Sequence, residues 1–292
     1  MTVIIGVDVE TDIGSFTPFY EGVKHGVPLL LDMFERHGIT GTFYFTGHSA
    51  KENPEIARLA AQSPNEVGCH SLFHETVGDE LFPIPGVYPL LPEEVFPRIK
   101  LATEWVEAAS GVRPVSFRCP RLWGSTAVVN ALEKLGYTTD ASYPMYFYRQ
   151  RFAPYHPSKD DWTQEGDMKL LEIPNFADMT MESKDSPLER DRDQWPLFRT
   201  KGADYMAEMI KGFARFTQAR GLPTVICLYI HPWEFVPMQE SYSFGEATVI
   251  PAAFITRNCG EKAVVEFEKL IGLLKGMGAE FLTARELGAS WS

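Results

Sequence analysis

Cysteine is sparse in this chain: four residues, at positions 69, 119, 227 and 259, in a sequence of 292. So few and so widely spaced, they make no disulfide framework, and free thiols in a reducing cytosol are the expectation. Long apolar runs are missing too. None reaches the ~20 residues that a bilayer-spanning helix needs, so no membrane partner is expected. No charged segment followed by a longer apolar core opens the sequence. Residues 1–9 read as a strand rather than a signal peptide, and a cytoplasmic location follows as an expectation. Positive charge is in deficit, with 27 Lys and Arg against 39 Asp and Glu and a net charge of -12. That balance disfavours nucleic acid and anionic membranes as partners. Low-complexity tracts, charge blocks and short-period repeats are absent.

What is present is ordinary globular composition, 45% hydrophobic and 23% charged. It is enough for one α/β barrel or for two smaller domains. The stretch that organises the rest is Glu66-Val-Gly-Cys-His70-Ser-Leu-Phe-His74. On a helical turn, positions i and i+4 share a face, so the two imidazoles could meet at one metal ion. A hydrogen-bonded pair with no metal is the competing reading.

Other stretches supply further groups. Residues 3–9 are apolar and β-branched, as a buried strand requires, and deliver Asp8, Glu10 and Asp12 at the C-terminal end. Asp8 and Glu10, two apart, can share a face. Clustered carboxylates there need a cation or hydrogen bonds; a solvated acidic loop is the alternative. A helix is expected over 23–37, a strand over 41–46, and a helix from Asn53-Pro54 to Ala61, with His48 in a surface loop between. Residues 77–92, rich in Pro and Gly, read as a wall or lid, or as a packed surface loop.

The fourth strand, 115–124, carries Arg118 beside Pro120, placed to hold a carboxylate by bidentate hydrogen bonds. The fifth, 137–142, ends near Asp140, which suits a partner for Arg118 or a plain turn residue. Residues 144–202 are irregular and aromatic. They fit either a stacking pocket or an oligomer interface, with a strand over 168–173 and a solvated segment over 184–193. The apolar strand 224–230 ends in His231-Pro-Trp-Glu, and a last strand over 279–282 closes the chain. Strand and helix alternate about seven times, with polar clusters at strand C-termini. A parallel α/β barrel has this arrangement, and so does a doubly wound sheet.

At this point the residues resemble the NodB-homology polysaccharide deacetylases, carbohydrate esterase family four. The similarity is carried by five segments in order: Val7-Asp8-Val9-Glu10, the His70/His74 stretch, Phe117-Arg118-Cys119-Pro120, Gly136 to Ser142, and Tyr229-Ile-His231-Pro-Trp-Glu234. The resemblance implies one domain over 1–292, a distorted (β/α)7 TIM-like barrel with long loops at its C-terminal rim. It implies Asp8 as catalytic base, His231 as general acid, Arg118 orienting Asp8, and Asp140 supporting Arg118. Glu10, His70 and His74 would bind a divalent metal, Zn2+ or another such as Co2+, Ni2+ or Mn2+. The family often has two aspartates in its first motif, so Asp12 competes with Glu10 for the third ligand.

The implied activity is hydrolysis of a C–N amide bond, deacetylation of an N-acetylated sugar or related small N-acyl compound. Its partners would be a small-molecule or saccharide substrate and, by analogy, further copies in a homo-oligomer. A metal-independent, allantoinase-like hydrolase of cyclic amides or imides is the chief alternative. A non-catalytic carbohydrate-binding member is another, though it would need neither Asp8 nor His231. A two-histidine, one-carboxylate iron oxygenase would leave Asp8, Arg118 and His231 without roles.

Overall fold

The computed structural model describes residues 1–291. Seven parallel strands run β1 (Thr2–Val9), β2 (Thr42–Phe45), β3 (Glu66–Cys69), β4 (Ser116–Phe117), β5 (Thr139–Asp140), β6 (Leu171–Glu172) and β7 (Val225–Ile230). In space they lie in the order β6-β5-β4-β3-β2-β1-β7. A small antiparallel hairpin, β8 (Tyr242–Phe244) and β9 (Ala247–Val249), stands apart. The short β10 (Glu280–Phe281) pairs in parallel with Thr2 and Val3. The sheet curls until its two ends meet. The Phe176 amide, just past β6, donates to the Cys227 carbonyl of β7 at 2.8 Å. With helices packed outside, this is the distorted (β/α)7 barrel that the family resemblance implied, and not the doubly wound sheet that the alternation of elements also allowed.

The centre of the barrel is β1, buried from Val3 to Val9, with β2 along its upper half and β7 along almost its whole length. Apolar residues facing outward from β1 and β2 meet the helix Val27–His37, where Phe34 packs against Phe43. Its expected start at residue 23 is instead a π-helical turn, Gly22–Gly26. Gly22 has to be glycine, because the backbone of Trp233 occupies the place of its Cβ. The helix Thr126–Leu135 forms where expected, capped by the Ser125 hydroxyl on the Val128 amide at 3.2 Å and by Gly136 at φ 82°.

Other expectations give way. His48 lies within a helix, Gly47–Glu52, not in a loop; its Nδ1 is 2.7 Å from the Tyr20 hydroxyl and its ring packs on Phe73. The fourth strand contracts to two residues, because beyond Arg118 the chain turns through Pro120 into a 3-10 turn. The chain also continues past β10 into a helix, Ala284–Ser290, whose capping box of Thr283 and Glu286 was readable as Thr-x-x-Glu. Among the described residues no helix is long and apolar enough to cross a membrane.

Candidate active site

The C-terminal ends of β1, β3, β4 and β7 open onto a cavity of about 370 Å³, lined by Asp8, Glu10, His70, His74 and His231 among others. Residues distant in sequence are thus brought to one rim by the parallel sheet.

Glu10 follows directly on β1 and His70 on β3. His74 comes four residues later, but no helical turn carries it there. The segment bends instead, with Ser71 at φ 66° and His74 at φ 62°, and these two left-handed residues fold the second imidazole back beside the first. The ring centroids lie 5.2 Å apart. Glu10 Oε2 is 3.6 Å from His70 Nε2 and 2.6 Å from His74 Nε2. One ligand atom from each of the three falls within 4.8 Å of the others.

These residues fit a divalent ion. His70 Nδ1 is 2.8 Å from the Arg118 carbonyl, so Nδ1 carries the proton and the Nε2 lone pair faces Glu10. Glu10 Oε2 is buried with no aligned hydrogen-bond donor, despite its short approach to His74. Burial holds the His74 pKa below its ordinary value and so favours the neutral, ligating form. Glu10 remains ionised: burial raises its pKa, but His74, His70 and His231 together outweigh that and hold it well below the usual carboxylate range. Asp12 is excluded as a ligand. Its oxygens accept from the Gly22 amide at 2.9 Å and the Glu21 amide at 3.1 Å, which ties it to the π-helical turn.

Asp8 is held by Arg118, with Nη1 donating to Oδ1 at 2.8 Å and both side chains buried. The guanidinium is fully engaged. Nε donates to the Ala141 carbonyl at 3.0 Å, Nη2 lies 3.3 Å from Cys227 Sγ, and the Tyr44 ring stacks at 4.6 Å. It passes across β1 over Gly6, where any Cβ would overlap it. Gly6→Ala is therefore expected to displace Arg118 and break the buried pair, lowering stability by at least ~3 kcal/mol in a urea titration.

Asp140 does not pair with Arg118, contrary to expectation. It accepts from the Ser142 hydroxyl at 2.5 Å and lies against Glu172; burial pushes its pKa up to about 6, and Arg118 acts on it only at longer range. Burial and the neighbouring Asp140 in turn hold the Glu172 pKa well above its ordinary value. The support that β5 gives Arg118 comes instead from the backbone carbonyl of Ala141.

His231 follows β7. Its Nδ1 sits 3.0 Å from Glu234 Oε1, and its backbone amide donates to the same oxygen at 2.9 Å. Nε2 is left facing the cavity, 4.0 Å from Glu10 Oε1. Behind Glu234 lies Arg199, whose Nε donates to Oε2 at 2.5 Å, both side chains fully buried. Burial lowers the His231 pKa, but Glu234, Glu10 and Asp8 more than reverse this and leave it raised.

Residues 15–139 match the family model for polysaccharide deacetylase. That match spans 125 of the 292 residues, under half of the chain. The matched stretch contains His70, His74 and Arg118; Asp8, Glu10 and His231 lie outside it. Among curated proteins, the chain is similar to the peptidoglycan-N-acetylmuramic acid deacetylase PdaA of Bacillus subtilis, 26% identical over 126 residues. That alignment covers 42% of this chain and 44% of PdaA, so it spans less than half of the relative. Among solved structures, a Mycobacterium smegmatis protein assigned as a polysaccharide deacetylase superposes with a TM-score of 0.62 at 16% identity, over 99% of this chain and 88% of that one. Puue allantoinase gives a TM-score of 0.62 at 14% identity, over 99% and 89%. At such identities the likeness is one of fold.

The cavity has walls that the sequence reading left open or misplaced. Phe82 and Ile84 of the 77–92 loop line it, as do Tyr146 and Trp195 of the aromatic stretch. The segment expected to be solvated, 184–193, instead sends Arg190 and Asp193 to the cavity wall. Asp193 is 8% exposed and accepts from the Tyr229 hydroxyl at 2.5 Å. Arg121 lines the cavity as well. Glu234 was visible within His-Pro-Trp-Glu, whereas nothing in the pattern around Arg199 marks it as a partner.

Proposed function

We propose that this protein is a divalent-metal hydrolase that cleaves the C–N bond of a small N-acyl substrate, a deacetylation in the simplest case. The observation that carries the reading is the meeting of Glu10, His70 and His74 in one cavity with Asp8 and His231. Glu10 Oε2, His70 Nε2 and His74 Nε2 would hold the ion, zinc or a comparable dication. Bound there, the ion supplies Lewis acidity, acidifying a water and polarising the amide carbonyl.

The chain's own groups do the rest. Asp8, fixed by Arg118, takes the proton of the attacking water. His231 Nε2 delivers a proton to the departing nitrogen, which leaves as the amine rather than as a poor amide anion. Glu234 fixes the ring and stabilises its charged form. Water and amide thus become acid and amine, with Asp8 left protonated and His231 neutral; proton exchange with solvent restores both.

A cavity of about 370 Å³ walled by Phe16, Phe82, Leu122 and Phe254 suits a compact molecule better than a polymer threading past. That same observation favours a second reading, a metal-independent hydrolase of small cyclic amides, with Puue allantoinase as a fold neighbour. The two are separated by metal analysis of the purified protein with assays on N-acetylated sugars, small N-acyl compounds, cyclic imides and ureides. The first reading expects about one ion per chain, loss of N-acyl hydrolysis on chelation and recovery on reloading. Full activity after the metal has been stripped would overturn it in favour of the second.

A further inference from the structure

We propose that Arg121 is a specificity-determining residue whose guanidinium receives a carboxylate on the substrate. The molecule cleaved is then a compact amide bearing a negative charge beside an apolar group. The inference rests on the reading of this cavity as an amide-hydrolase site.

The first observation is an imbalance among the arginines around the site. Arg118 is paired with Asp8 and Arg199 with Glu234, whereas Arg190 and Arg121 feel Asp193 and Glu10 only at longer range. Arg121 forms no ion pair among the described residues. Of its five N–H donors, one is engaged, Nη1 to the His74 carbonyl at 3.1 Å. The remaining donors belong to a side chain that lines the cavity and is largely withdrawn from water. A guanidinium in that position calls for a partner, and a planar carboxylate matches its fork.

The second observation is backbone geometry. Arg121 has φ 59° and Leu122 φ 61°, two consecutive left-handed residues without a glycine. Such conformations are costly and persist where surrounding structure enforces them. Here they turn both side chains onto the cavity wall. The third observation is charge. The protein as a whole carries -12 and repels anions. At the cavity the acids are Asp8, Glu10 and Asp193; Arg121 and Arg190 face them, and a dication held by Glu10, His70 and His74 would tip the wall to net positive.

The test uses a matched pair of probes, N-benzoylglycine and its neutral amide N-benzoylglycinamide, titrated calorimetrically into the full-length protein. The wild type is expected to bind the acid roughly ten- to hundredfold more tightly than the amide. Arg121→Gln should bring the ratio to about one with amide binding unchanged, and Arg121→Lys should keep part of the preference, which also controls for folding. Each titration is run as purified and after chelation, because a carboxylate held by a metal ion would keep its preference in Arg121→Gln and lose it on chelation. That pattern overturns the proposal, and so does a wild type that does not prefer the acid. Retention of the preference in a protein that hydrolyses no amide would sink the hydrolase reading and leave the anion site standing.

Discussion

Asp8→Asn is expected to lower kcat/KM by roughly 10²–10⁴-fold, the usual range for a general base, with metal content unchanged. The two halves of that expectation rest on separate contacts. Glu10, His70 and His74 would hold the ion without help from Asp8, whose Oδ1 is committed to Arg118 at 2.8 Å. Asparagine keeps the shape and a hydrogen-bond acceptor but takes no proton from water. It also leaves Arg118 as a buried cation without its counter-charge, and breaking such a pair costs ~3–5 kcal/mol. The rate must therefore be measured below the variant's own unfolding transition, with circular dichroism showing it folded. Glu10→Gln gives the complementary result, with metal and activity lost together. Near-normal turnover in folded Asp8→Asn would remove Asp8 from the proton path.

The contrast between what was legible and what was not has a physical origin. Buried parallel strands must be apolar on both faces, so β1 and β7 stand out as runs of Val, Ile and Leu, and polar residues at their ends are conspicuous. Asp8, Glu10 and His231 were singled out that way, His70 by its spacing from His74, and Arg118 by its place beside Pro120. The alternation of strands with helices pointed to a parallel α/β fold, and the family resemblance singled out the barrel over a doubly wound sheet. Contacts between side chains of distant loops have no such local signature. Arg199 reaches Glu234 from the middle of an irregular stretch, and Asp193 sits in a run whose charge suggests solvent. The convergence of His70 and His74 was readable as a spacing but not as a geometry. Two left-handed residues do in that bend what a helical turn would otherwise have done. Asp140 misled because an acid at a strand end near an arginine is a reasonable pair in one dimension. In three, Glu172 on the adjacent strand β6 meets it instead, and burial together with Asp140 holds the Glu172 pKa well above its ordinary value.

Glu234→Gln should alter stability and pH dependence together, because Glu234 is the middle of a buried line from His231 to Arg199. Removing its charge leaves Arg199 without a counter-charge, held only by neutral acceptors such as the Ile255 carbonyl at 2.6 Å. A loss of ~3–5 kcal/mol follows, a fall in Tm on the order of 10 °C for a chain of this size. The pH window follows from the two shifted groups. Burial raises the Glu234 pKa, but Arg199 and His231 outweigh it and leave the value lowered, so its contribution is fully present above the ordinary 4.5 and is lost as pH falls through the folded value. The His231 value is raised, so its contribution is fully present below 6.5 and is lost as pH rises through the folded value. The gap between wild type and variant is therefore widest between about pH 4.5 and 6.5. Catalysis moves by the same logic. As a proton donor His231 is active while protonated, so kcat/KM falls as pH rises through its raised pKa. In Glu234→Gln that support is gone, and the alkaline limb shifts to lower pH. A limb that stays where it was, in a variant whose stability has dropped as expected, would mean that another group protonates the departing nitrogen.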